Sequence, residues 1–179
     1  MRRVSMVGAP GSGKSTLGRA LADRLGVPFV ELDSIFHQPG WTQLSPEQFA
    51  ARVSGVAAGD GWVIDGNYSD VRPLVWGRAD TVVWVDPPRP VVVRRLLTRT
   101  VRRGITREEL WNGNRESLRN LFSRDPDVNL VLWAWRKHPE YRTRYAEAAA
   151  DPANADLRFV RIATPADAST LLAGASPMD

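Results

Sequence analysis

Gly8-Ala9-Pro10-Gly11-Ser12-Gly13-Lys14-Ser15 matches G-x-x-x-x-G-K-[ST] at every fixed position. The apolar run Val4–Val7 precedes it and the amphipathic stretch Lys14–Leu25, closed by Gly26, follows it. A strand feeding a glycine-rich turn that opens a helix is the setting in which this pattern cradles phosphates. Glycines let successive backbone N–H groups curl toward phosphate oxygens, and the helix N-terminus adds free donors and a favourable dipole. Gly8, Ala9, Pro10, Gly11, Ser12 and Gly13 form the cradle. Lys14 is expected to bridge the β- and γ-phosphates, Ser15 to ligate Mg²⁺ and Thr16 to reach the α-phosphate. The segment therefore predicts a nucleoside triphosphate site for ATP and Mg²⁺.

Working outward, further short apolar runs lie at Pro28–Leu32, Trp62–Asp65, Thr81–Asp86 and Leu157–Ile162. Helical patterns alternate with them, which reads as an α/β chain with a buried parallel sheet. The expectation is a three-layer P-loop NTPase fold: a five-stranded parallel sheet flanked by helices, in one domain over residues 1–179. Ser45 reads as the N-cap of a helix to Ala57 with Pro46 at its first position. Pro90–Arg103 reads as a helix ended by Gly104, and Ala134–Ala150 as a helix interrupted or started at His138-Pro139. Residues 104–129 are polar, with turn signals at Asn112-Gly113-Asn114 and Asp125-Pro126, and read as a helical lid insertion. The chain past Leu172 is expected to fray.

Composition narrows the chemistry. The chain has 179 residues and no cysteine, which excludes disulfides, thiolate nucleophiles and iron–sulfur ligation; two histidines, His37 and His138, make a protein-built zinc centre a poor expectation. No apolar run reaches the length of a membrane span and no leader pattern precedes Val4, so the expected setting is cytoplasmic, without a membrane, as monomer or homodimer. The net charge is +4, and the 24 basic residues include only two lysines, Lys14 and Lys137, leaving 22 arginines. Such a surplus fits phosphate handling, nucleic acid or a compositional bias of the source.

The phosphate loop admits several kinds of protein. The N-K-x-D base-reading motif of GTPases is absent, and the Trp62–Asp65 run ends in Asp65-Gly66 rather than the Asp-Glu of motor ATPases. In this the chain resembles adenylate-kinase-like small kinases. It is similar, more closely, to the bacterial topology modulation protein (FlaR-like) family over nearly its whole length to about Tyr145. The residues behind that likeness are Gly8 to Thr16, Leu32-Asp33, Pro39-Gly40-Trp41, Asp65-Gly66-Asn67-Tyr68, Arg94-Arg95 and Trp111-Asn112-Gly113-Asn114-Arg115-Glu116. The family's name refers to DNA supercoiling, whereas its sequence pattern is that of a phosphotransferase.

The resemblance implies roles for further residues. Small kinases that phosphorylate hydroxyls carry an acidic residue near Asp33, which orients the acceptor or takes its proton; Asp33-Ser34 also reads as a plain helix start. Asp65 is expected to hold Mg²⁺, with a turn residue as the alternative, and Glu31 is a reserve for base or metal work. His37, Trp41, Asn67, Tyr68 and Arg72 are candidates for the acceptor pocket, Arg72 for an anionic group on it. From Pro87 to Arg107 there are seven arginines and no acidic residue. Arg95, Arg99 and Arg102 share one helical face, and the resemblance implies that Arg95, Arg99 and Arg103 serve the triphosphate. Arg115, Glu116 and Arg119 would sit in the lid, and Thr164-Pro165 would pack against adenine. The function expected is transfer of the γ-phosphoryl group of ATP to a nucleoside, nucleotide or other hydroxylated metabolite, an antibiotic or toxin included. The alternative is a nucleotide-dependent DNA-binding regulator, for which the sequence offers neither a helix-turn-helix nor a basic tail.

Overall fold

Five strands form one parallel sheet: β1 (Arg3–Val7), β2 (Phe29–Glu31), β3 (Trp62–Asp65), β4 (Thr81–Val85) and β5 (Arg158–Ile162), in the order β2-β3-β1-β4-β5. This computed structural model describes residues 1–106, 109–114, 125 and 129–177. The helices among them are α1 (Lys14–Leu25), α2 (Leu32–Phe36), α3 (Pro46–Ala57), α4 (Arg72–Trp76), α5 (Arg89–Thr106), α6 (Leu130–Ala150) and α7 (Pro165–Ala173). None is long and apolar enough to cross a membrane among the described residues.

β1, β3 and β4 are buried almost throughout, as a central parallel sheet covered on both faces requires. One face, with Val4, Met6, Val63, Val83 and Ile162, packs against Leu17, Leu21 and Leu25 of α1 and against α7. The other face places Ile64 and Trp62 against Phe49 and Val53 of α3 and Val75 of α4, and Val7, Val82 and Trp84 against Tyr145 of α6. Sheet order reverses at β1, between β3 and β4, and ligands of open α/β sheets bind outside the carboxyl ends at such a point. The loop Gly8–Gly13 leaves the sheet there.

The predicted strands match within two residues at each end, and α1 has the predicted bounds. Ser45 caps α3 with a reciprocal Gln48 bond, a capping box. Four expectations need correction. Leu32 belongs to α2 rather than to β2, so Asp33 stands in the first turn of a helix. Gly104 does not end α5, which continues to Thr106. His138-Pro139 neither starts nor interrupts α6, which runs from Leu130, capped by Asn129, straight through Pro139 to Ala150. The C-terminal segment does not fray at Leu172: α7 reaches Ala173, and Ala175 is buried in the core. Of the expected lid, Gly104–Thr106 belongs to α5 and Trp111–Gly113 is a 3₁₀ turn; Arg107, Arg115, Glu116, Arg119 and Pro126 lie outside the described residues.

Pro139 removes one helical hydrogen bond from the middle of α6, and an interior proline is less favourable than alanine by about 3 kcal/mol. Pro139→Ala should therefore raise Tm in thermal unfolding, by an amount below that full figure because α6 already accommodates the ring.

Candidate active site

Each chemistry-bearing group stands at the carboxyl edge of the sheet for a local reason. Gly8 leaves β1 at φ 138°, and a Cβ there would lie 2.2 Å from the Val85 carbonyl oxygen. Gly11 turns at φ 80°, where a Cβ would meet Leu96 of α5 at 2.5 Å. Only glycine satisfies both positions, and the loop closes into a cradle at the start of α1. Lys14, the first residue of that helix, folds back so that Nζ donates to the carbonyls of Gly8 at 2.9 Å and Ala9 at 3.1 Å. Burial pushes its ammonium down, opposed by the charges of Asp65 and Asp33, while Arg99 adds to the depression.

Ser15 Oγ donates to Asp65 Oδ2 at 2.6 Å. Asp65 ends β3 at 6% exposure, and burial pushes its carboxyl up against the pull of Lys14 and Ser15. Ser12 Oγ is buried without a partner. An orphaned hydroxyl in the curl, a lysine at its mouth and backbone that only glycine fits together suit a phosphate chain. The adjoining serine and aspartate oxygens suit a hard cation such as Mg²⁺.

Asp33 Oδ1 accepts from the Tyr68 hydroxyl at 2.7 Å. Burial, then the Asp33 charge, pushes the Tyr68 phenol above its ordinary range, so it stays a donor. Its ring packs against Phe36 and Phe49. Glu31, paired in register with Asp65, accepts from Arg19 Nη2 at 2.6 Å and from the Trp111 indole at 3.2 Å. The Asp33 and Glu31 charges both act on Lys14 and Asp65. Arg72 opens α4 with its guanidinium over Trp76 at 5.3 Å and one terminal nitrogen buried without a partner.

The remaining candidates divide. Arg95 Nη1 donates to the Ser12 carbonyl at 2.6 Å, which brings α5 onto the phosphate loop. Arg99 is close enough for its charge to act on Lys14, and Arg103 lies one turn further on, half-buried. His37 follows α2 among the rings of Phe36, Trp41 and Trp111, while Trp41 is 41% exposed. Thr16 is exposed on α1. Thr164 and Pro165 follow β5 as the N-cap and first residue of α7, where Thr164 and Asp167 form a capping box.

Asn67 faces the phosphate loop. Its Nδ2 donates to Gly8 O at 2.7 Å, and its Oδ1 accepts from Gly8 N at 3.1 Å and from the Tyr145 hydroxyl at 2.8 Å. Its amide is thus engaged by the loop and α6. Sequence reasoning missed Tyr145 altogether; its one signal was scarcity, as one of three tyrosines. Removing the Asn67 amide leaves the Gly8 N–H unmet and its carbonyl with Lys14 alone, at about 1–3 kcal/mol, and 1.4 kcal/mol is tenfold in affinity. Asn67→Ala should weaken a non-hydrolysable ATP analogue by roughly tenfold in calorimetric titration. Tyr145→Phe, which spares the Gly8 pair, should weaken it less.

Comparison with known proteins gives the same kind of catalyst. The profile of the shikimate kinase family matches residues 10–49. A shikimate kinase of Synechococcus elongatus is 31% identical over 160 residues, covering 70% of this chain and 80% of that protein. Among solved structures, shikimate kinase from Bacteroides thetaiotaomicron covers 96% of this chain and 94% of its own, with TM-score 0.56 at 17% identity. A gluconokinase from Sinorhizobium meliloti 1021 covers 96% and 91%, with TM-score 0.51 at 20% identity, so these two likenesses concern the fold. These relatives are kinases, and they give no support to a DNA-binding regulator. By its sequence relatives, with a phosphate loop and sheet of the matching kind, the chain belongs to the shikimate kinase family of ATP- and Mg²⁺-dependent small-molecule kinases.

Proposed function

We propose that this kinase phosphorylates a hydroxyl of a small anionic metabolite held beside Asp33, between α2 and the β3–α4 connection. The observation that carries this is the Tyr68–Asp33 hydrogen bond at the edge where Lys14, Ser15 and Asp65 meet. Asp33 orients the acceptor O–H and takes its proton as the oxygen attacks the γ-phosphorus. A phosphorus–oxygen bond forms to the acceptor, the bond to the bridging β–γ oxygen breaks, and ADP leaves.

Lys14 moves from the Gly8 and Ala9 carbonyls onto the β- and γ-phosphates. Gly8–Gly13 and Thr16 bind the phosphate chain through backbone and hydroxyl donors, and Ser15 and Asp65 would hold Mg²⁺, which when bound would neutralise phosphate charge. Arg95, Arg99 and Arg103 offer fixed cations to the charge that develops during transfer. Thr164-Pro165 borders the adenine, a role compatible with its capping box. Arg72 has a buried nitrogen to offer an anionic group, and His37 and Trp41 wall the acceptor. Shikimate and gluconate, the acceptors named by the relatives, are both hydroxylated carboxylates and head the panel. Within the family we place the chain with the topology modulation (FlaR-like) proteins. Support for that comes from Asp65-Gly66-Asn67-Tyr68 and Trp111-Asn112-Gly113-Asn114, both built around the same site.

The test is ADP formation from Mg-ATP with shikimate, gluconate, nucleosides and nucleotides. Turnover that depends on an acceptor is expected; a folded, ATP-binding protein with none across the panel refutes the reading. Lys14→Ala should abolish transfer. Asp33→Asn should keep ATP-analogue affinity and lower kcat by about 10²–10⁴-fold; loss of ATP affinity with kcat retained would reassign Asp33.

A further inference from the structure

The Trp111-Asn112-Gly113-Asn114 turn docks on the acceptor side of the site. Asn112 Nδ2 donates to the carbonyls of Ser34 at 3.2 Å and His37 at 2.5 Å, closing the C-terminal end of the helix that carries Asp33. Asn114 is buried, donates to Gln38 O at 3.0 Å and accepts from Trp41 N at 2.9 Å. Two residues other than glycine adopt the left-handed conformation among those described, Trp41 at φ 59° and Asn112 at φ 58°, and both belong to this junction, Trp41 through Asn114 and Asn112 through His37. Backbone strain of this kind, about 1–3 kcal/mol per residue, persists where surrounding contacts over-determine it, and it clusters at ligand clamps.

Trp111 occupies the remaining position. Its indole donates to Glu31, whose charge acts on both Lys14 and Asp65, and its ring lies parallel to that of His37 at 6.4 Å. His37 Nδ1 is buried without a partner, and its ring also meets those of Phe36 and Trp41. An aromatic wall with one unmet polar atom, at the residue that follows the helix carrying Asp33, is a surface suited to discriminating between ligands.

We propose that this turn is the acceptor-side clasp of the kinase. Asn112 and Asn114 are positioning residues that fix the backbone of 34–41, and Trp111 with His37 decides which acceptors reach Asp33. The inference rests on the kinase reading at Asp33 and adds the element that selects the acceptor. Because Arg95 and Arg99 on α5 precede the clasp in the chain, one continuous segment serves the phosphates first and the acceptor next.

Three variants test it. Trp111→Ala should change the ratio of kcat/KM between two acceptors of different bulk by at least tenfold, mostly through KM. Trp111→Phe, which keeps a ring, should restore the wild-type ranking. Asn114→Ala should raise KM for every acceptor and accelerate hydrogen exchange tenfold or more at the His37, Gln38 and Leu44 amides, with β1 and β3 unchanged. Affinity for a non-hydrolysable ATP analogue should stay within twofold throughout. An unchanged acceptor ranking in folded Trp111→Ala overturns the proposal, as does a parallel loss of ATP affinity. If the wild type turns over no acceptor, the kinase reading at Asp33 fails and the selecting role of Trp111 falls with it, while the positioning role of Asn114 is judged on exchange: unchanged amides in Asn114→Ala overturn it, faster ones uphold it.

Discussion

A buried carboxylate, Asp65, and a partly desolvated ammonium, Lys14, lie at one end of the sheet, and each is displaced by burial toward its neutral form. Taking a charge out of water is expensive unless it is paired and hydrogen-bonded. Here the carboxylate takes the Ser15 hydroxyl and the ammonium takes two loop carbonyls. These contacts bind the end of β3, the loop after β1 and the start of α1 into one unit. Phosphates and a cation are the ligands that such an arrangement suits, because they bring counter-charges to the ammonium and to the carboxylate.

The arginine surplus resolves into individual geometries. Arg95 donates to the phosphate loop, Arg19 to Glu31, and Arg161 and Arg142 to the buried Asp86. Arg89 lies 3.8 Å from the centre of the Trp135 ring, and Arg161 also covers Trp84. Planar forks that stack on rings and pair with carboxylates are uses lysine serves poorly. Five of the 22 arginines thus have a structural place, and the net charge of +4 is not by itself a nucleic-acid footprint.

Legibility followed interaction range. The central strands and α1 were readable because burial on both faces and a glycine stop are written within a few residues, as in Val4–Val7 and Gly26. α6 was misread because Pro139 is a local signal overruled by distant packing: His138 contacts the Pro87 carbonyl and Tyr145 is buried against Trp84. The same limit applied at the site. Lys14, Ser15 and Asp65 were recognisable from motif and strand end. The Asn67–Gly8–Tyr145 tie spans 59 and 78 residues of separation, and the Asn114 contacts 73 and 76. Spacing along the chain carries no trace of such pairs.

Three carboxylates, Glu31, Asp33 and Asp65, stand at one sheet edge, and the charges of Asp33 and Glu31 add to the upward push that burial gives Asp65. Each receives a different class of donor. Glu31 has a cation, Arg19, and the Trp111 indole; Asp65 has the Ser15 hydroxyl and the field of Lys14. Asp33 has the neutral phenol of Tyr68. A carboxylate already bonded to an arginine and an indole has an oxygen engaged, and one buried against serine and lysine is suited to holding a cation. The third is oriented by a neutral donor on Oδ1, which suits the acceptor-facing role proposed for it. On the proposed reading, the partners more than the carboxylates themselves divide the labour at this edge, with Asp33 serving the proton, Asp65 the metal and Glu31 the clasp.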